Sequence, residues 1–479
     1  MTRWGTAVTV AGLLLLVYGL TLPPSLTWSH HGADGGDLAA AVVRGSIPHP
    51  PGFPTYLLLG GLFVRLPWGD PAQRLSALSA LMAAAAAGLT VLTVSHLLGE
   101  AAPGTRTAPP AKSGIQSDVW ASACAGLAGL SLGLAPLFWS QALIVEVYAP
   151  AAFFAALAIW LNVRGSPAWW VGLAWGVGTG VHPTLLFLAP LLLGDPRPRR
   201  LLQVGLAALV GCGLMFGPVL LFRARVPSPW ADVTTLAGWW ELVSGRLYRA
   251  YLLALPLAAV PARALAWVGL LLRQATSFGA VLAGWGWGHL WRARRSLAVL
   301  AALSFAAANL YALTYDTADS LVYLVPFLPL AALGLGVGVA RAAERVGRPL
   351  RWAFVLLPVL QAALFWGQVD LSRDHAARDW ADALLDGAPP QAVLLTAQDA
   401  HTFALWYAQE ALAMRPDVVV LDADLWAHPP YRRLVGAALG LDAGDLSPAE
   451  AARRAARPLV DVGQVAYPPP VTALDATLH

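Results

Sequence analysis

The run Gly5-Thr-Ala-Val-Thr-Val-Ala-Gly-Leu-Leu-Leu-Leu-Val-Tyr-Gly-Leu-Thr-Leu22 carries no charge and approaches the roughly 20 apolar residues needed to cross a bilayer as a helix. Thr2 and Arg3 precede it, and Pro23-Pro24 follows where a small-residue cleavage site would stand, so it reads as a spanning helix rather than a removable signal. Comparable runs recur near 71–99, 119–138, 140–163, 167–181, 184–194 with its flanks, 201–222, 264–290, 296–314, 320–340 and 350–368, about eleven helices in all. The composition agrees: 57% of the 479 residues are hydrophobic and 12% charged, where a soluble chain has roughly a quarter charged. Mean hydropathy is +0.60. The chain is expected to be a polytopic α-helical membrane protein embedded in the lipid bilayer.

The arginines set the orientation. With the N-terminus cytoplasmic, the inside loops hold Arg3, Arg106 with Lys112, Arg164, Arg197/Arg199/Arg200, Arg292/Arg294/Arg295 and Arg341/Arg345/Arg348/Arg351. Every short loop on that side is then basic, as the positive-inside rule requires. The net charge of +4 is thus a loop asymmetry, and no nucleic-acid partner is expected. Cys124 and Cys212 both lie in apolar runs, which argues against a disulfide framework and a thiolate metal site. Segments 102–117 and 23–70 are a Pro/Ala/Thr cytoplasmic linker and a long first external loop. In the latter, Thr55-Tyr-Leu-Leu-Leu-Gly-Gly-Leu-Phe-Val-Arg65 has the makings of a surface helix. Segment 223–262 mixes Trp230, Trp239, Trp240, Tyr248 and Tyr251 with charges and suits the external interface. Residues 1–368 form the transmembrane domain. In 369–479 charge rises, and Ala392-Val-Leu-Leu-Thr396 and Asp417-Val-Val-Val-Leu421 read as parallel strands around a helix at 401–414, a small external α/β domain.

Ionisable groups at or in membrane spans are costly and mark function by default. Asp34, Asp37, His49, Glu146, Tyr148, His182, Asp232, Tyr315, Asp316 and Tyr323 all fall at the external ends of their spans, and Glu146 lies about 12 Å into its helix. One outward-facing cavity follows, which favours an enzyme over a proton-driven transporter with carboxylates at mid-membrane depth.

The blocks Asp34-Gly-Gly-Asp37 with Gly45-Ser-Ile-Pro-His-Pro-Pro-Gly52-Phe-Pro-Thr-Tyr56, Phe138-Trp-Ser-Gln-Ala-Leu-Ile-Val-Glu146-Val-Tyr148, Trp230-Ala-Asp232 to Arg249, Tyr315-Asp316 with Tyr323, and Leu394 to Tyr407 with Arg415-Pro-Asp-Val resemble the protein O-mannosyltransferase-like membrane family. The resemblance runs from about residue 21 to 421. It implies the GT-C glycosyltransferase fold, a polyprenyl-phosphate sugar donor, and an Asp of the first external loop as base. The chain departs from the family pattern where Asp37 replaces a Glu and Ala400-His401 replaces an Asn-Asp pair, changes that bear on donor and acceptor rather than on class.

On this reading Asp34 is the general base and Asp37 positions it, positions the acceptor or caps the helix expected from Leu38. His49, in a turn that Gly52 permits, divides between a structural and a substrate-contacting role, as do Glu146, Tyr148 and His182. Arg246 and Arg249, three apart, are expected to meet the donor phosphate, with Arg223 and Arg225 as rivals. Asp232, Asp316 and Tyr323 are further cavity candidates; Asp399 and His401 divide between acceptor contact and a local turn. No spacing demands a metal. A divalent ion would have to sit among Asp34, Asp37, His49 and Glu146, and no required cofactor is expected. The expected activity is inverting transfer of a hexose, mannose first, to a hydroxyl of an exported protein or envelope glycan across a bacterial inner membrane. The rival from another class is a lipid-linked-sugar flippase without chemistry, and a third is a non-catalytic scaffold.

Overall fold

The computed structural model describes residues 2–99 and 114–464. Arg106, Lys112 and most of the expected linker therefore lie outside the described residues, as does 465–479.

The first expectation holds closely: α1 is Arg3–Thr21, with Thr2 as its N-cap. A 3₁₀ turn at Ser29–Asp34, with His30 and His31 in the left-handed region, leads into α2, Gly35–Arg44. α3 follows at Pro54–Phe63, and α4 runs over Pro71–Gly99. α4 is rich in small residues through Ala83-Ala-Ala-Ala-Ala-Gly88, so α1, α5 (Gly114–Gly133) and α7 (Tyr148–Val163) approach it closely. Between α5 and α7 stands a short α6, Pro136–Ala142, bent by 67° from α5. α8 (Ala168–Thr179) and α9 (Ala189–Leu193) are short, joined by a 3₁₀ turn at Pro183–Leu188. α10 (Pro198–Leu214) continues through a π turn at Met215–Val219 into α11 (Leu220–Arg223). The interfacial stretch holds α12, Leu236–Val243, and a 3₁₀ turn at Arg246–Tyr251. Then come α13 (Val260–Gln274), α14 (Thr276–Ala293), α15 (Arg295–Thr314), a 3₁₀ turn at Ser320–Phe327 continuing into α16 (Leu328–Ala343), and α17 (Leu356–Val369).

The expected eleven spans need correcting. Among the described residues six helices are long and apolar enough to cross a membrane, or eight if each of two bent pairs counts as one span. The run at 140–163 is broken because the chain leaves helix between Ala142 and Tyr148, and that at 264–290 because α13 and α14 meet at 89°. The runs at 167–181 and 184–194 give only short helices. Burial sorts the spans: 72% of the α4 window and 89% of the Ser320–Ala343 window are buried, against 33% for α10–α11, α15 and α17. The first two form the centre. The others display residues such as Leu206, Leu209, Phe222 and Leu310 outward, as a lipid-facing surface demands.

Beyond α17 lie α18 (Ala376–Gly387), β1 (Val393–Thr396), α19 (Asp399–Trp406), β2 (Val419–Asp422), α20 (Pro429–Leu439), α21 (Pro448–Arg454) and β3 (Leu459–Asp461). The strands form one parallel sheet in the order β2-β1-β3. β1 and β2 were legible as apolar β-branched runs; β3 is short and half exposed and was not. This α/β unit is seated on the loop that follows α1. Thr27 and Ser29 donate to Asp374 at 2.5 and 2.8 Å, and α19 packs on α2. The closest approach is at Gly36, where a Cβ would overlap the Phe403 carbonyl, so only glycine lets the two backbones meet.

Candidate active site

The candidate site is built where the α1–α2 connection, the α3 entry, the α6–α7 break and the α8–α9 turn come together. Asp34 is the N-cap of α2, yet its side chain makes no capping hydrogen bond. Its carboxylate is walled by protein but keeps 40% of its side-chain accessibility, so a substrate can reach it. The helix begins at Gly35 rather than Leu38, which puts Asp37 in its first turn and not at the cap.

Asp37 is buried and fully engaged. One oxygen accepts from the His49 backbone N–H at 2.8 Å and from His49 Nδ1 at 2.7 Å; the other accepts from Trp230 Nε1 at 3.2 Å. These bonds hold the His49 ring in place. The opposite ring nitrogen of His49, Nε2, lies 3.6 Å from Asp34 Oδ2, an ion-pair distance beyond a good hydrogen bond. Gly52 has φ 86°, the positive value that allows the Pro48–Phe53 turn to fold this imidazole back over α2. Burial alone would lower the His49 pKa, but Asp34 and the hydrogen-bonded Asp37 more than reverse this and lift it to about 9. Desolvation raises the Asp34 carboxyl above its ordinary range; His49 pulls it down, while Asp319 and Asp37 push it up.

Glu146 is not inside a helix. It occupies the α6–α7 break, 3% exposed, where one carboxylate oxygen accepts from the Val147 N–H at 3.0 Å and the charge faces Asp34, His49 and Asp319. The buried Tyr56 is also an electrostatic neighbour of Glu146, and its hydroxyl has no hydrogen-bond partner among the described residues. His182 stacks on Phe53 with ring centres 6.0 Å apart and planes at 17°, and lies 5.4 Å from Tyr148 and 5.6 Å from Tyr323. Its Nδ1 is held by Thr184 Oγ1 at 2.8 Å. Tyr148, His182 and Tyr323 thus make one aromatic wall. Tyr248 comes within 6.5 Å of His49 from the Arg246–Tyr251 turn. Asp399, the first residue of α19, is pushed up to about 6 by burial and then by Asp34.

Several expected residues stand elsewhere. Asp232 is exposed and turned onto its own loop, accepting from the Thr234 N–H at 3.1 Å and hydroxyl at 2.5 Å. Asp316 is exposed, its N–H donating to the Tyr251 carbonyl at 3.0 Å; Asp319, three residues later, is the one whose charge reaches Asp34, Tyr148 and Tyr323. His401 stacks on Trp380 at 4.5 Å, away from Asp34, as part of the α18–α19 packing. Arg223 donates to the Ala41 and Leu57 carbonyls at 3.2 and 3.0 Å and is a structural tether, while Arg225 lies over the Phe222 ring at 4.6 Å. Arg246 and Arg249 are exposed, with no ion-pair or hydrogen-bond partner among the described residues. Residues three apart eclipse in a 3₁₀ turn, so the two guanidinium groups share a face. His49 lies against Asp34 and Asp37, with Glu146 as a charged neighbour, but among the described residues no three His, Cys, Asp or Glu side chains are placed as a metal-ligand set.

The model for the protein O-mannosyl-transferase TMEM260 N-terminal domain matches residues 34–193, and that for TMEM260-associated domain 2 matches 377–433. The first match begins at Asp34 and ends with α9; the second covers α18, β1, α19 and β2. Over these two stretches the chain is similar to the protein O-mannosyl-transferase TMEM260 family. The mouse protein O-mannosyl-transferase TMEM260 is 25% identical over 471 residues, 89% of this chain, which thus spans only 63% of that relative's length. The fold is like that of ArnT from Cupriavidus metallidurans bound to undecaprenyl phosphate, with TM-score 0.54 at 13% identity, covering 87% of this chain and 89% of ArnT. The apo form of ArnT gives 0.50 at 14% identity, over 88% and 90% of the two chains. The chain has an ArnT-like fold and several membrane-spanning helices.

Proposed function

We propose that the chain is a membrane glycosyltransferase that moves a hexose, mannose first, from a polyprenyl-phosphate donor to a hydroxyl on an exported protein or an envelope glycan, with inversion at the anomeric carbon. The observation that carries this reading is the accessible Asp34 carboxylate held 3.6 Å from the His49 ring beside the aromatic wall of Tyr148, His182 and Tyr323. The name of the mouse relative supports mannosyl transfer to protein, and the ligand held by ArnT supports a polyprenyl-phosphate carrier.

In the proposed reaction the acceptor hydroxyl attacks C1 of the sugar as the C1–O bond to the phosphate breaks. Asp34 takes the hydroxyl proton, and the lipid phosphate leaves as an anion. His49, locked by Asp37, supplies the positive charge that keeps Asp34 ionised among Glu146, Asp319 and Asp399. Arg246 and Arg249 receive the departing phosphate. Tyr148, His182 and Tyr323 offer flat faces and hydroxyls against which the sugar is held. Residues 1–368 carry this chemistry, and the α/β unit of 369–479 lies on the same external face, with α1 entering from the cytoplasm of a bacterial inner membrane. No resident metal is required.

The test uses purified protein in liposomes with radiolabelled polyprenyl-phosphate-mannose, a Ser/Thr-rich peptide mixture and an envelope-glycan extract, with and without a chelator. Wild type should label an acceptor equally in both arms. Asp34→Asn, nearly isosteric, should lose about 10²–10⁴-fold, the usual size of a general-base contribution. Equal transfer by the two proteins would overturn the role of Asp34. Head-group translocation without transfer by either would replace the enzyme with the flippase.

A further inference from the structure

A second cavity lies at the other end of the bundle from Asp34, where α1 begins and α4 and α7 end. Its volume is about 360 Å³ and among the described residues its lining is Arg3, Trp4, Leu92, His96, Trp160 and Arg164. We propose that it binds the phosphate group of an anionic lipid in the leaflet opposite the transfer site.

Two cations here are unspent. Arg164 caps α7, donates Nε to Ser166 Oγ at 2.7 Å and lays its guanidinium 4.3 Å over the Trp160 ring, which leaves its terminal nitrogens free for a ligand. Arg3 is exposed and has no partner among the described residues. It is also the first residue of α1, so its charge adds to the positive end of the helix dipole instead of opposing it. Thr2 satisfies the N–H groups of Gly5 and Thr6, and those of Arg3 and Trp4 have no acceptor among the described residues. An anion would relieve this uncompensated charge. Trp4 meets Trp160 edge to face at 5.8 Å and closes an apolar wall suited to glycerol and the first acyl carbons.

General attraction of a basic membrane face for anionic lipid is the bland alternative, and the same face contains its control. Arg197 is bridged to Asp195 at 2.6 Å, and Arg200 donates to the Ser166 carbonyl at 2.9 Å and pairs with Asp195. Those arginines are already satisfied; Arg3 and Arg164 are not.

The experiment is native mass spectrometry of the full chain in detergent, titrated with phosphatidylglycerol or with phosphatidylcholine of the same acyl length. Wild type should retain one phosphatidylglycerol per chain in preference to phosphatidylcholine. Arg3→Gln/Arg164→Gln should weaken that retention about tenfold or more, as the loss of two charge-assisted contacts implies. Arg197→Gln should leave it unchanged. Arg3→Gln alone, at an exposed position that cannot threaten folding, should weaken it about threefold. Equal retention by the double variant, or an equal loss in Arg197→Gln, would overturn the site. Displacement of the phosphatidylglycerol by millimolar inorganic phosphate would overturn the lipid as its source in favour of a soluble phosphate. The readout is binding, so failure of this proposal and failure of the transferase reading are separately visible.

Discussion

His49 joins two carboxylates that do different things. Asp37 is consumed in holding the imidazole, and Asp34 receives the field of its charge. The competent pair, ionised Asp34 beside cationic His49, exists above the raised Asp34 pKa and below about 9. Transfer should therefore follow a bell-shaped pH profile whose alkaline limb lies near 9. His49→Gln should abolish that limb and move the acid limb to higher pH, because removing the cation makes Asp34 harder to ionise; a pH–rate profile in liposomes reads both. An unchanged profile would show that the ion pair is only structural. Arg246→Gln/Arg249→Gln should raise KM for the lipid-phosphate donor about tenfold, with the acceptor KM unaltered, as expected if these guanidinium groups hold the phosphate. Asp34, His49, Glu146, Tyr148 and His182 were readable as polar residues stranded at span ends. Asp319 was not, because which carboxylate of Asp316-Thr-Ala-Asp319 turns inward is decided by the 3₁₀ geometry that follows, a matter of backbone rather than composition.

At the scale of elements, apolar length placed α1, α4, α10, α15 and α17 well, and it overcounted wherever the chain stays apolar while leaving helix. Leu143-Ile-Val-Glu146-Val is such a place: hydropathy reads continuous, yet Glu146 gains its position in the cavity because the helix stops. The contact of α2 with α19 gives a prediction at this scale. Gly36→Ala introduces a methyl group into the Phe403 carbonyl, and the two helices must separate to admit it. The expected cost is about 1–3 kcal/mol of stability, typical of overpacking, with transfer lost more steeply because Asp34 lies two residues away. Thermal unfolding in detergent together with the liposome assay measures the two effects; an unchanged melting temperature would mean that the interface yields freely. The sheet is protected in its own way. β2 is an edge strand, but Tyr431 donates to the Val420 carbonyl at 3.3 Å and accepts from the Asp422 N–H at 2.7 Å, while Gln409 donates to the Val418 carbonyl at 2.9 Å. Side chains thus occupy the backbone groups to which another strand would pair.

Over the whole molecule the asymmetry of charge and the asymmetry of chemistry run in opposite directions. The arginine-rich loops lie where α1 begins, and the carboxylates with their aromatic wall lie where it ends. Loop composition leads one to expect that separation, since bilayer thickness turns sequence distance into alternating sides. What loop composition could not reveal is that the chain returns after residue 376 to finish what it began at residue 34. The Gly36–Phe403 contact binds those distant stretches, and the two segments that match the family models lie on either side of it. Neither surface can change shape without the other, and a chimera that exchanged only one would bring together surfaces that do not fit.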